Sequence, residues 1–175
     1  MNLRAELLSE YSKKHTLELA SAIISDPSQF SLLMSHFLDD AGEGYRLPQR
    51  AAAVVNEVCE QRPDFLVPYY EKIILNLRND VHDAVKRNTV RLLQFHEIPE
   101  GLLGEAVDIC FDLLQSAKEP IAIKVFSMTV LFNIVKRVPE LKSELEYMIE
   151  EQMPYGSAGF VSRGRKILKA LKSIN

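Results

Sequence analysis

The sequence predicts an all-α fold of stacked helix pairs, because three features recur along it with a period near 37 residues. A proline followed by an acidic residue, a pair that suits the first turn of a helix, occurs at intervals of 36 and 40 residues, at Pro63, Pro99 and Pro139. A cation recurs at intervals of 37, 37 and 39 residues, at Arg50, Arg87, Lys124 and Arg163. Apolar or small residues follow these cations at offsets of two, five and eight. A self-similar period of this length, with two helices per unit, indicates a solenoid.

The stretch from Pro120 to Val138 is the most apolar part of the chain, with eleven apolar residues among the fifteen from Ile121 to Val135. On a helical wheel five of them share one face: Ile121, Val125, Met128, Phe132 and Val135. Three others fall on the opposite face: Ile123, Val130 and Ile134. A helix that is apolar all round must be covered all round, and this one is too short to span a bilayer and is interrupted by Lys124. We expect it to be the central buried helix of the stack.

Helix boundaries follow from the prolines, the glycines and the apolar spacing. We expect two short helices within residues 2–26, a third from Ser28 to Asp39 after a stop at Asp26-Pro27, and a flexible connection at residues 41–44. The remaining predicted helices are 46–61, 64–78, 82–97, 100–115, 120–137, 140–152 and 160–173. No linker is long enough to separate two domains. We therefore expect one domain, residues 1–175, with residues 1–26 as N-terminal capping helices and residues 28–173 as repeats.

The segment from Asn79 to Arg87, NDVHDAVKR, contains an Asp, a Val and a cation at the start of a second helix, and Pro68 lies inside the preceding first helix. In these features residues 28–173 resemble HEAT repeats. The resemblance implies a right-handed α–α superhelix of about four to five helix pairs, with first helices on the convex face and second helices on the concave face. The turn at residues 116–120 lacks the Asp, and residues 42–48 are longer than the pattern. The exact repeat count therefore stays open.

No set of residues indicates an enzyme. The four histidines are too scattered for a metal site or a cysteine–histidine pair. The glycines follow neither a phosphate-loop nor a dinucleotide pattern, and the Ser157-Ala158-Gly159 turn has no strand before it. We therefore expect no catalytic residue, no metal site and no cofactor.

Charge and cysteine content bound the class further. The net charge of −3 gives no general attraction to nucleic acid. Cys59 and Cys110 are 51 residues apart, and we expect both to be reduced core residues. The first six residues carry charges where a signal peptide needs an apolar run. We expect a cytoplasmic protein without membrane association.

Charge separates between the first and second helices of the predicted pairs. The first-helix segments 27–40, 63–79, 99–115 and 139–153 carry net charges of −2, 0, −4 and −4. The second-helix segments 45–61, 81–97, 118–138 and 159–175 carry 0, +1, +3 and +5. One interpretation is that the two layers attract each other and that acidic first turns suit helix starts. The other is a basic concave groove for an acidic ligand.

The candidate binding surface combines basic and apolar side chains that the helical wheel places away from the core of the second helices. Its predicted members are Arg87, Arg91, Ile123, Val130, Ile134, Arg165, Lys166 and Lys169. The three apolar members, exposed together between basic flanks, would suit an acidic amphipathic helix. Two alternatives stay open: tight curvature of the stack hides the apolar strip, or a homodimer covers it.

The leading hypothesis is a non-enzymatic helical-repeat scaffold that binds another protein along its concave, second-helix face. The alternative is nucleic-acid binding, because some bacterial DNA glycosylases that remove alkylated bases resemble HEAT stacks with a basic concave face. Arg87, Arg91, Lys124 and the cations of residues 163–172 would then contact phosphates. The chain has no Trp, and its second helices offer few outward aromatics to stack on a base. These features favour the scaffold.

Overall fold

The computed structural model describes residues 2–38 and 44–174, and within these ranges the chain forms ten α-helices and four short 3₁₀ helices, with no strand. The α-helices are α1 (Leu3–Ser9), α2 (Lys13–Ser25), α3 (Ser28–Leu38), α4 (Arg46–Gln61), α5 (Tyr70–Asn76), α6 (Asp83–Leu93), α7 (Leu103–Gln115), α8 (Ile121–Val135), α9 (Lys142–Gln152) and α10 (Ala158–Leu171). The all-α fold is confirmed, and the handedness of the superhelix stays a prediction. The predicted end of the third helix at Asp39 and residues 41–43 of the predicted connection lie outside the described residues.

Three helices begin with a 3₁₀ turn at the predicted prolines. Pro63–Tyr69 precedes α5, Glu100–Leu102 follows Pro99 and precedes α7, and Pro139–Leu141 precedes α9. Proline lacks the N–H that the first turn of a helix leaves unpaired anyway, and 3₁₀ turns are frequent at helix N-termini. The regular prolines of the sequence therefore mark real helix starts.

Two predicted helices are shorter than expected. The helix predicted over 64–78 is a 3₁₀ helix up to Tyr69 and an α-helix only from Tyr70 to Asn76, because Pro68 cannot donate a backbone hydrogen bond and its ring crowds the preceding turn. The helix predicted over 82–97 ends at Leu93. The carbonyls of Gln94 and Ile98 accept side-chain hydrogen bonds instead, which hold residues 94–98 as a loop.

The chain folds as two compact units, an N-terminal unit up to Leu92 and a C-terminal unit from Leu93. In the N-terminal unit α4 packs against α1, α2 and α3. The ring of Phe30 meets those of Phe65 and Tyr69 edge to face, at centroid distances of 5.2 and 5.6 Å. The role of residues 1–26 as capping helices stays a prediction.

In the C-terminal unit α8 is the central helix and packs against α7, α9 and α10. The expectation that it is covered all round is wrong, because Ile121 is 42% exposed and Phe132 is half-buried. Three side chains donate hydrogen bonds to backbone carbonyls 38 or 39 residues earlier: Asn133 to Gln94 (2.9 Å), Arg137 to Ile98 (2.6 Å) and Gln152 to Leu114 (3.1 Å). Because carbonyls removed from water need partners, these bonds connect parts of the C-terminal unit that are far apart in sequence. Their spacing of 38 or 39 residues is one or two residues longer than the 37 residues between Arg87 and Lys124.

Candidate functional site

Three of the predicted apolar site residues are not exposed. Ile123, Val130 and Ile134 have 0%, 1% and 3% of their surfaces accessible, so the expectation that they form an exposed strip is wrong. The physical reason is that α8 has almost no amphipathic asymmetry, and its neighbours α7, α9 and α10 cover the face on which these residues lie. A helix apolar all round can bury either face without a large loss of hydrophobic free energy.

Three of the five residues that the sequence placed on the core face of α8 lie outward in the structure, whereas Met128 and Val135 of that face are buried. Ile121 is 42% exposed, and Val125, Phe126, Thr129 and Phe132 are half-buried. We call these five residues the α8 strip. Because they lie within about half a turn of one another on the wheel, they form one continuous and mostly apolar face.

Two polar side chains of α8, those of Lys124 and Ser127, are buried, whereas those of Thr129 and Asn133 are half-buried. Lys124 is 9% exposed and its Nζ donates to Oε1 of Gln152 at 2.7 Å. Burial lowers the pKa of this ammonium, since a low-dielectric environment disfavours the charged form. Ser127 is fully buried. α8 therefore differs from an ordinary surface helix, because it buries two polar side chains while a mostly apolar residue set faces outward.

Basic groups border the α8 strip. Nζ of Lys136 lies 4.5 Å from the ring centroid of Phe132, within the range of a cation–π contact. Arg163 on α10 donates from Nη1 to Oγ1 of Thr129 at 2.6 Å. Lys166, three residues after Arg163 and therefore on the same side of α10, is exposed. The strip is an apolar surface with cationic edges.

The other predicted basic residues are exposed to different degrees. Arg165 and Lys169 on α10 are exposed, and in the N-terminal unit Arg91 is exposed whereas Arg87 is half-buried. Arg91 lines a cavity of about 300 Å³ together with residues of α2 and α4. No hydrogen bond or ion pair joins its guanidinium to the part of the chain that the structure describes. A role of these basic residues in binding stays a prediction.

A second cavity, of about 310 Å³, lies in the C-terminal unit between the loop that follows α6 and the C-terminal end of α8. Its apolar lining includes Leu93, Ile98, Leu103, Val130 and Ile134. Polar and charged groups at this cavity are Asn133, Lys136, Arg137, Glu97 and His96. Phe95, eight residues after Arg87 in the repeat pattern, also lines it and is 73% exposed.

The walls of this cavity are held by side-chain bonds. The amide of Asn133 donates to the Gln94 carbonyl, and Arg137 donates to the Ile98 carbonyl, so both ends of the loop are fixed to α8 and the residues after it. Arg137 also lies 3.6 Å from Glu97. Burial lowers the pKa of His96, which favours the neutral imidazole.

Two kinds of reactive group bear on catalysis, clusters of metal ligands and cysteine thiols. No group of His, Cys, Asp and Glu side chains that could hold a metal is present within them. Cys59 and Cys110 are buried, and burial raises the pKa of each thiol to about 12. Since the thiolate is the nucleophile, neither thiol is activated.

The comparison with known families defines the class of protein. The model of the HEAT repeat domain matches residues 3–171, and the chain belongs to this family. The resemblance drawn from residues 79–87 is therefore confirmed, and the match extends over the first two helices as well. Searches of curated proteins and of solved structures found no match. Among the described residues no helix has the length and apolar character needed to cross a membrane.

Sequence reasoning missed the α8 strip and the loop with Phe95. The repeat period at this point is 39 residues, which is the spacing at which Asn133 donates to the Gln94 carbonyl and Arg137 to the Ile98 carbonyl. A sequence reading with that period would have identified the outward face of α8. The cations at Arg87 and Lys124 suggested 37 instead. No sequence signal marked the end of α6 at Leu93.

Proposed function

We propose that this chain is a non-enzymatic helical-repeat scaffold that binds an acidic, amphipathic segment of a partner protein along its second helices. The observation that carries the proposal is the α8 strip, a mostly apolar outward face on a helix that buries Lys124 and Ser127. Contiguous apolar surface with a polar rim is typical of protein interaction sites. Membership of the HEAT repeat domain family supports a scaffold role.

The chemistry of the partner follows from the edges of the strip. Lys136 contacts Phe132, and Arg163 contacts Thr129, so two residues of the strip have a cation beside them. A partner helix with apolar residues on one face and carboxylates on both sides of that face complements this surface. Arg165 and Lys169 add further cations on α10. In the N-terminal unit we propose Arg87 and Arg91 as additional contacts for acidic groups.

The test uses the full chain as bait, with two variants that carry the same charge change. Phe132→Asp places a carboxylate on the strip, and Tyr147→Asp places one at a side chain of α9 that is 65% exposed. Both variants should keep the circular dichroism of the unaltered chain. Quantitative affinity purification should lose the specific partners with Phe132→Asp and keep them with Tyr147→Asp. Equal recovery with both variants would refute the proposed surface.

Nucleic-acid binding is the second candidate, and the cations of α10 favour it. Arg165, Lys166 and Lys169 are exposed and could contact phosphates. The α8 strip opposes it, because a phosphate-binding face needs no outward Ile, Val and Phe side chains. A gel shift with duplex DNA separates the two functions. Retention that falls steeply with salt would favour nucleic acid, and no retention at low salt would exclude it.

A further inference from the structure

The C-terminal unit contains a cavity whose size and lining point to a defined occupant. Its volume of about 310 Å³ is at the lower end of the roughly 300–1,000 Å³ typical of ligand pockets. This is room for one large side chain rather than for a cofactor. Most of the lining surface is apolar, and Leu93, Ile98 and Leu103 are among the residues that contribute to it.

The cavity adjoins the α8 strip. Lys136 lines the cavity and also lies over the ring of Phe132, a member of the strip. Asn133, one residue after Phe132, forms another part of the wall. A helix lying along the strip therefore reaches the mouth of the cavity without leaving the surface.

Charge at the mouth favours an acidic partner. Lys136 and Arg137 contribute two positive charges, and Glu97, whose side chain is 82% exposed, contributes one negative charge. Arg137 is also hydrogen-bonded to the Ile98 carbonyl. Because this bond and the bond from Asn133 to Gln94 hold the loop, the cavity exists before binding and ordering it costs little.

We propose that this cavity receives a single large apolar side chain, aromatic or branched aliphatic, carried on the acidic helical segment that binds the α8 strip. The inference rests on the proposed function and names the anchor residue of that interaction. Buried aromatic and aliphatic anchors that fill pockets supply most of the binding energy in many interfaces. The carboxylates of the segment would lie near Lys136 and Arg137.

The probes are short acidic helical peptides selected from a displayed library against the full chain. Each selected peptide is compared with its counterpart in which the apolar anchor is changed to Ala, by fluorescence anisotropy. We expect the change to weaken binding by about tenfold or more. The variant Val130→Phe fills the cavity from its lining. The selected peptide should bind this variant no better than its Ala counterpart does, and the Ala counterpart should bind it as tightly as it binds the unaltered chain.

A second variant keeps the test decisive if Val130→Phe does not fold. His96→Trp adds bulk to the lining from a half-buried position and should have the same effect. Phe132→Asp serves as the strip control and should weaken both members of each peptide pair. If cavity variants leave the preference for the anchor intact, the anchor pocket is refuted although the strip stands. If no peptide is selected, both proposals are refuted.

Discussion

Gly164 tests how closely α9 and α10 approach each other. It is buried in α10, and a Cβ added there would lie 3.0 Å from Cγ2 of Ile149 and 3.0 Å from Sδ of Met153. Optimal carbon contacts are roughly 3.5–4.0 Å, so Gly164→Ala forces the neighbours apart by several tenths of an ångström. Ile149 is fully buried and belongs to the opposing helix, which limits how far it can move.

Two opposing energies decide the outcome of Gly164→Ala. Overpacking a core costs about 1–3 kcal/mol, whereas replacing Gly by Ala in a helix gains about 1 kcal/mol. We therefore expect a net loss of about 0–2 kcal/mol in the free energy of unfolding. The matched control is Gly104→Ala in α7, where an added Cβ meets nothing within 4 Å, and there we expect a gain of about 0.4–1 kcal/mol.

The assay is urea unfolding of both variants, followed by circular dichroism because the chain has no Trp. A double-mutant cycle adds Met153→Ala, which removes the Sδ contact and should recover part of the loss caused by Gly164→Ala. If Gly164→Ala stabilises the protein as much as Gly104→Ala does, the close approach of α9 and α10 is refuted.

Two further predictions concern one residue in each unit, Arg50 in the N-terminal unit and His96 in the C-terminal unit. Arg50 donates to the carbonyl of Leu7 at 3.0 Å, which is one of the last carbonyls of the short helix α1. Arg50→Met should therefore lower the free energy of unfolding by about 1–2 kcal/mol and speed hydrogen exchange in α1. The control Arg46→Met, at an exposed position of the same helix α4, should do neither. The pKa of His96 is lowered by burial. At pH values between that pKa and about 6.5, the unfolded chain therefore binds more protons than the folded chain, and the free energy of unfolding should fall as the pH falls through this window. His96→Asn should remove this part of the pH dependence of the urea midpoint, and identical profiles for the variant and the unaltered chain would contradict the assignment.

Most of the fold was predictable because its signals are local. The prolines at 63, 99 and 139 mark helix starts in the structure, and α4 has the predicted bounds, Arg46 to Gln61. The errors arose where a tertiary contact overrides local preference. Residues 94–97 continue the helical pattern of α6, but Asn133 and Arg137 bind the carbonyls of their loop from another repeat.

The exposed face of α8 could not be read from one helix because it depends on register between repeats. The buried residues Ala84, Val85, Asn88, Thr89 and Leu92 of α6 correspond, at a spacing of 39 residues, to five buried residues of α8: Ile123, Lys124, Ser127, Met128 and Leu131. At the spacing of 37 suggested by Arg87 and Lys124, buried residues of α6 mostly no longer correspond to buried residues of α8. Each residue turns a helix by about 100°, so a slip of two residues rotates the assignment by about 200° and exchanges the inner and outer faces.

From α8 to α10 the spacing returns to 37, which relates the buried Ile123, Ser127, Val130 and Ile134 to the buried Phe160, Gly164, Ile167 and Leu171. The two extra residues before α8 therefore turn Phe126 and Phe132 outward, and the α8 strip exists because the repeat is irregular at this point.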